Sequence, residues 1–300
     1  MSRAAIACVL AIAACGDDGS VTAEPLPGAP AAVRALLATG GDVIVIGGTS
    51  AFGLDQLQRY RDGRWTVAAG VPPFGARATL IEGDAVYAAS DTALYRLDDV
   101  AAFRWSDARA IPPPVPAVIG ALGDTILGAA PDDGGGAVVA WTPGTRVWHE
   151  LARPLGTGAR GFLVGDGHVT WTDPALGVLR AEAGAITLLT DCGDCVVPML
   201  AVSEDAFVAC GTSSPPLESF RLGGAGIALP DGLTACVAAS SGGGHGLLVT
   251  LDAVLDLPPA AKSWNRVTAA EPGSSYIHAG SAIYAYGDGI SARGVFVLDL

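Results

Sequence analysis

Residues 42–60 read DVIVIGGTSAFGLDQLQRY: an apolar run, two glycines, then a stretch whose composition would suit a helix. Two architectures fit such a segment. In one, the glycines form the phosphate-gripping turn between a strand and a helix. In the other, they close a buried strand in an all-β chain. The first requires a G-x-G-x-x-G pattern, but the position two beyond Gly47 is Thr49. The segment also needs to be weighed against the rest of the chain, because a periodic sequence changes how every local motif is read.

The chain is periodic. DVIVIGG (42–48) is followed by DAVYAAS (84–90), DTILGAA (124–130), GHVTWTD (167–173), DAFVACG (205–211), HGLLVTL (245–251) and SAIYAYG (281–287), about forty residues apart. A second series places tryptophans at 65, 105, 148 and 264, in RWTVAAGVPPFGAR, RWSDARAIPPPVP, VWHELARPLGTGAR and SWNRVTAAEPGS. AITLL near Ile186 and GIALP near Ile227 stand where two further tryptophans would fall. A third series runs QLQRYRDG, ALYRLDD, AVVAWTPG, GVLRAEAG, LESFRLG, AVLDLPP and VFVLDL. With an inner strand such as RATLIEG (77–83) or RGFLVGDG (160–167), each unit supplies four short strands. Four strands at this period predict a blade of a β-propeller.

The double glycine after an apolar strand, the aromatic at Tyr60 in "RY", Trp65, and the following Pro and Arg resemble the kelch repeat of β-propellers. The first unit matches best; later units lose the double glycine and two of them the tryptophan. The physical pattern agrees independently. DVIVI is apolar at successive positions, as expected of a strand covered on both faces. A tryptophan on an outer strand fills the widening wedge between blades. The expected fold is therefore all-β: a seven-bladed β-propeller of four-stranded antiparallel blades. Its last unit ends on a third-type strand, VFVLDL, and VTAEPLPGAP (21–30) has the character of an unpartnered fourth strand. The N-terminal strand is expected to complete the last blade and remove two exposed edges.

Composition supports strands and turns. Of 300 residues, 41 are Gly and 20 Pro, with 50% hydrophobic and 16% charged, so turns punctuate the chain densely while core area is ample. The formal net charge is −13 and Lys262 is the sole lysine, which excludes nucleic acid as a partner. The opening MSRAAIACVLAIAAC has Arg3, an apolar stretch and small residues before Cys15. Its end, Ile12-Ala13-Ala14-Cys15, resembles the lipobox of bacterial lipoproteins, which implies cleavage before Cys15 and lipid on that cysteine. The resulting organisation is a signal peptide over 1–14, a flexible tether over 15–20 and a single propeller domain over 21–300. GDDGS after Cys15 reaches about 17 Å when extended. The expected location is a bacterial membrane, anchored by lipid on the extracytoplasmic side, with the propeller acting as a monomer.

Four further cysteines, Cys192, Cys195, Cys210 and Cys236, fall on one face of the expected ring. An exported chain favours disulfides over a zinc site, and four cysteines leave three connectivities open. Val196 after Cys195 excludes a c-type haem. GDGHVTW (165–171) shares Asp166, Thr170 and Trp171 with the Asp-box of sialidases, but Val164 and His168 stand where Ser and Gly belong. Arg34, Arg77 and Arg160 recur where inner strands begin and suit a carboxylate ligand; packing is the blander role. Loops between second and third strands share that face and carry Asp55, Asp132, Asp173 and Asp288, with Ser50, Phe52, Asp133 and Ser291. Solvated turns use the same residues. His149, His168, His245 and His278 lack metal-ligand spacing, no G-x-S-x-G occurs, and neither metal nor cofactor is expected. The reading is a non-catalytic envelope module that recognises a protein or glycan. The alternative is an extracytoplasmic, sialidase-like carbohydrate-active enzyme with its site at the propeller mouth.

Overall fold

The computed structural model describes residues 23–30, 32–48, 55–67, 79–82, 85–90, 93–99, 104–105, 109–110, 116–122, 124–142, 144–165, 167–173, 175–182, 184–190, 199–203, 205–210, 217–222, 225–242, 244–279, 282–288 and 293–299. Cys15 and the rest of 1–22, Ser50, Phe52, Arg77, Cys192, Cys195 and Ser291 lie outside the described residues.

Every regular element among the described residues is a strand, and the strands form seven antiparallel sheets. A short β1 (Ala23–Pro25) precedes sheet 1, which is β2 (Ala32–Thr39), β3 (Asp42–Gly48), β4 (Asp55–Arg61) and β5 (Arg64–Val67). Sheet 2 is β6 (Thr79–Glu82), β7 (Val86–Ala89) and β8 (Ala93–Asp99), with β9 (Arg104–Trp105) and β10 (Arg109–Ala110) both on the outer edge of β8. Sheet 3 is β11 (Ala117–Leu122), β12 (Thr125–Ala130), β13 (Ala137–Trp141) and β14 (His149–Ala152). Sheet 4 is β15 (Arg160–Gly165), β16 (His168–Asp173), β17 (Gly177–Glu182) and β18 (Ala185–Thr190). Sheet 5 is β19 (Met199–Ala201), β20 (Ala206–Cys210) and β21 (Leu217–Arg221). Sheet 6 is β22 (Cys236–Gly242), β23 (His245–Thr250), β24 (Val254–Leu257) and β25 (Asn265–Thr268). Sheet 7 is β26 (Ser274–Ala279), β27 (Ala282–Asp288) and β28 (Arg293–Asp299), completed by β1.

The first strand of each sheet packs on the first strand of the next: β2 on β6, β6 on β11, β11 on β15, β15 on β19, β19 on β22, β22 on β26, and β26 back on β2. That order is a closed ring, so the chain is a β-propeller. The expectation of seven four-stranded blades is corrected: among the described residues six sheets have the four or more strands of a complete blade, and sheet 5 has three. GIALP supplies the reason. Ala225–Ile227 runs beside β21 with a single bridge, Phe220 to Gly226, and bonds from Arg221 N to Ala225 O (2.8 Å) and Ile227 N to Ser219 O (2.7 Å). Ala228 then pairs with Ser263 of the sheet 6 region instead. A segment with this much Gly and Pro is a poor strand former, so the fourth position stays rudimentary.

Burial explains why DVIVI carries no alternation. Val43, Ile44, Val45 and Ile46 are all buried. Val43 and Val45 face the core shared with sheet 7, while Ile44 and Ile46 face the core shared with sheet 2. Asp42 is also buried, and the Arg61 guanidinium at the end of β4 clasps both its oxygens, so the charge is paired rather than stranded. The same acid-to-arginine link recurs in sheet 5, where Arg221 holds Asp205 at 2.5 Å.

Apolar clusters fill the wedges between neighbouring sheets, and the tryptophans sit where the wedge widens. Trp105 packs with Ile44 and Leu57 of sheet 1, Trp148 with residues of sheet 2, and Trp264 with residues of sheet 5. Trp264 is 4% exposed and donates from Nε1 to Ser219 Oγ at 2.8 Å. Trp65 packs beside Leu26 and Ala29 and donates to Pro27 O at 3.0 Å. The N-terminal segment closes the ring as expected: Ala23, Glu24 and Pro25 register with Leu298, Val297 and Phe296, and Leu26 N bonds to Val295 O.

Candidate functional site

The turn between the first and second strands of each sheet lies at one end of the ring. Antiparallel connectivity puts the second-to-third turns at the other end. The residues singled out from sequence belong to that second end. Asp132 Oδ1 accepts from Gly134 N (2.8 Å) and Gly136 N (2.7 Å), and its Oδ2 accepts from Arg153 at 2.7 Å. Asp173 is buried and accepts from the backbone N–H groups of Gly158, Ala175 and Leu176 at 2.8–2.9 Å. Both carboxylates therefore organise turns. Arg153, then the Gly136 and Gly134 amides, hold the Asp132 carboxyl below the ordinary carboxylate range. Arg160 begins β15, its Nε buried without a hydrogen-bond partner, and Arg34 on β2 is exposed. Asp55 and Asp288 fall in β4 and β27, where only the backbone is described.

A cavity of about 1460 Å³ opens at the first end and runs into the axis of the ring. Six inner strands line it, through Leu37–Thr39, Thr79–Ile81, Val118–Gly120, Phe162–Val164, Ala239–Ser241 and Ile277–Ala279. It extends over sheets 5 and 6, where Arg221 is fixed between Asp205 and the Ala261 carbonyl (2.9 Å) and Lys262 stands exposed. Apolar walls with a few polar groups, among them Ser240, Ser241 and Lys262, are the usual makeup of a binding cavity. None of the described arginines and aspartates selected from sequence lines it.

Beside this cavity, sheets 6 and 7 bring together three groups that the sequence keeps apart. His245 opens β23, Asp256 lies on β24 and His278 on the inner strand β26. Leu247 registers with Asp256 and His245 is two residues before Leu247, so both polar side chains leave sheet 6 on the same face, toward sheet 7. His245 Nδ1 is 2.9 Å from Asp256 Oδ1, His278 Nε2 is 3.3 Å from the same oxygen, and the two rings stack at 4.3 Å. Asp256 is 4% and His278 2% exposed. Neither nitrogen of His278 makes a hydrogen bond, because the 3.3 Å approach lacks the required direction. A buried polar atom left so costs about 1–3 kcal/mol. Burial pushes the Asp256 carboxyl up, but the adjoining His278 and His245 imidazoles outweigh it and hold the group below its ordinary range. Two imidazoles and a carboxylate with their ligand atoms within 4.8 Å of one another can hold a metal ion.

The Cys210–Cys236 disulfide ties the end of β20 to the start of β22, with Cα atoms 5.6 Å apart. It is one of the pairings open from sequence.

No protein-family model matches the chain, and no curated protein does. Solved structures do. YCF48 from Cyanidioschyzon merolae superposes with a TM-score of 0.58 at 12% identity, over 93% of this chain and 98% of its own. The computationally designed Ika8 protein gives 0.54 at 12% identity, over 94% and 100%. The extracellular domain of the hybrid two component system BT4673 from B. thetaiotaomicron gives 0.57 at 11% identity, over 94% of this chain and 43% of that one. At such identities the likeness concerns architecture alone: the chain shares the fold of these proteins across nearly its whole length.

Proposed function

We propose that the protein is an exported, lipid-anchored binding module, a seven-bladed propeller with sheet 5 as its shortened blade, that holds part of a glycan or protein partner in the axial cavity. The cavity carries this reading. At about 1460 Å³ it exceeds the range of about 300–1,000 Å³ usual for small-molecule sites, which favours a segment of a larger ligand. Its polar groups are hydroxyls, the Lys262 amine, the His168 ring, the Arg221–Asp205 pair and strand-end backbone, suited to sugar hydroxyls or peptide groups. A net charge of −13 opposes polyanions and leaves neutral or basic partners. The apolar leader and Cys15 support export and anchoring, with lipid joining the chain to the extracytoplasmic face of a bacterial membrane.

A panel of glycans and peptides tests the reading with three proteins: wild type, Ser241→Trp, which adds bulk at the cavity lining, and Arg34→Glu at the opposite end. A ligand bound by wild type and Arg34→Glu but lost from Ser241→Trp, at unchanged melting temperature, is the expected result. Loss in Arg34→Glu alone would move the site to the other face, and turnover of a glycan would replace this reading with the enzyme. Labelling with radioactive palmitate, absent in Cys15→Ser, is the expected sign of the anchor.

A further inference from the structure

We propose that His245, Asp256 and His278 are the protein ligands of a divalent first-row transition metal of the zinc class, bound between sheets 6 and 7 beside the axial cavity. The ion's protein ligands are the same whatever the cavity binds, and His278 belongs to a stretch that lines it.

Three observations converge on it. The first is chemistry. Two neutral imidazoles and a carboxylate are a donor set that suits zinc, nickel or copper and not calcium or magnesium, which take oxygen shells. The second is spacing. Donors held at about 2.0–2.2 Å from a tetrahedral ion lie about 3.4 Å from one another. Asp256 Oδ1 is 2.9 Å from His245 Nδ1 and 3.3 Å from His278 Nε2, and no pair of the three donor atoms exceeds 4.8 Å. The donors are within reach of one ion, and to share it the stacked rings, whose planes lie 22° apart, must turn until both lone pairs converge. The third is the unsatisfied group. The His278 side chain has no exposed surface, and both its nitrogens lack a hydrogen-bond partner, although Nε2 lies 3.3 Å from the carboxylate oxygen. An ion between them gives Nε2 a bond and keeps the carboxylate paired.

The protein also provides a route in and a rigid frame. The His245 side chain is 22% exposed, so an ion can reach the site from the turn end of the ring. Its partners sit on strands buried among Leu247, Val254 and Ile283, which limits their freedom to drift apart. Three protein ligands leave a coordination position for water or for a ligand oxygen.

The full-length chain, stripped with a chelator, is titrated with Co²⁺ and with Zn²⁺. One equivalent of Co²⁺ should bind with the visible absorption of a low-coordinate ion, and Zn²⁺ should displace it and raise the melting temperature. His245→Ala should weaken binding by about 100-fold or more, since losing even an outer partner of a ligand costs about 10–100-fold. His149→Ala, outside the cluster, should bind as wild type. A reading that needs no variant is NMR of the wild-type ring protons: of four histidines, Zn²⁺ should shift His245 and His278. No stoichiometric binding, undiminished binding by folded His245→Ala, or shifts confined to His149 or His168 would overturn the proposal.

Discussion

Gly47, the first glycine of the GG at 47–48, gives a direct test of why that stretch contains glycine. Gly47 has an ordinary negative φ, so backbone conformation does not require it. Contact does: a Cβ added there would lie 2.4 Å from the Ala32 carbonyl oxygen and 3.5 Å from Pro30 Cβ. Even a close C···O approach is about 3.3 Å, so β2 and β3 would have to part by about 0.9 Å where Val33 registers with Gly47. The obstructing atom is backbone within a ladder and cannot rotate aside. Overpacking of this kind costs about 1–3 kcal/mol. Against it stands the stiffening of the unfolded chain, which favours Ala over Gly by about 0.4–1 kcal/mol. The clash wins by about 1.3 kcal/mol at the centre of these ranges, and Gly47→Ala should lower the melting temperature by about 3–5 °C, at about 2–4 °C per kcal/mol. Gly226→Ala supplies the opposite sign. Its φ is also not positive, and an added Cβ meets nothing within 4 Å. Only the unfolded-state gain remains, so this variant should melt about 1–4 °C higher. Both are read by circular dichroism at a single scan rate, since unfolding of such a chain can be irreversible. If Gly47→Ala melts at or above wild type, the close approach of β2 to that residue is not as described, and the glycine has some other cause.

Reducing the Cys210–Cys236 bond, with 26 residues of separation, should cost about 3.5 kcal/mol by loop-closure entropy, read as a lower denaturant midpoint with dithiothreitol; an unchanged midpoint would mean that the bond constrains nothing. Deleting residues through Gly28 removes the β1 ladder on β28 and the acceptor of Trp65 Nε1, so the product should elute as aggregate or melt well below wild type; a monomer of equal stability would contradict ring closure. For Asp132 the folded pKa is depressed, so its turn contacts are fully present above the unfolded value of about 3.9 and are lost only as pH falls through the lower folded value. The Gly134 and Gly136 amide resonances should hold constant through the ordinary carboxylate range and move below it, and Arg153→Gln should bring the transition back up.

Much of the ring was legible because its cause is local and repeated. A strand buried on both faces is apolar at each position, as Val43–Ile46 show, and the recurrence of that run every forty residues marks each sheet separately. The tryptophans at 105, 148 and 264 were legible for a related reason, since only a broad side chain fills the outer wedge. Even the weakest unit left a sign in the glycine and proline of GIALP, where the outer strand shrinks to a single bridge, whereas AITLL, also without a tryptophan, forms the full strand β18. The acids of the second-to-third turns could not be sorted in this way. Asp132 and Asp173 look like ligand groups in sequence because a turn-capping aspartate and a binding aspartate are the same residue beside the same glycines, and only the backbone donors they meet distinguish them.

The histidines escaped for a different reason, which bears on how sites arise in such rings. Metal-ligand spacing rules read ligands that share one strand, helix or loop. His245 and Asp256 lie on adjacent strands of one sheet, and His278 comes from the inner strand of the next, so their separations of 11 and 22 residues reflect hairpin length and blade pitch rather than a motif. A usable signal was nevertheless present. Placing each polar residue on its strand and asking which neighbour that face meets puts His245 and Asp256 on the side of sheet 6 turned to sheet 7, and finds His278 inside SSYIHA, an inner strand where a histidine has no solvent to satisfy it. Because successive sheets of the ring meet in the same way, each wedge offers an equivalent position one layer in from the axial cavity. Between sheets 1 and 2 the positions in the same register as His245 and Asp256 carry Asp42 and Arg59, whose charges lie 4.0 Å apart, and Arg61 also clasps Asp42. The wedge between sheets 6 and 7 surrounds its buried Asp256 with two imidazoles instead of guanidinium groups, and a bound ion would supply there the positive charge that arginines supply to Asp42.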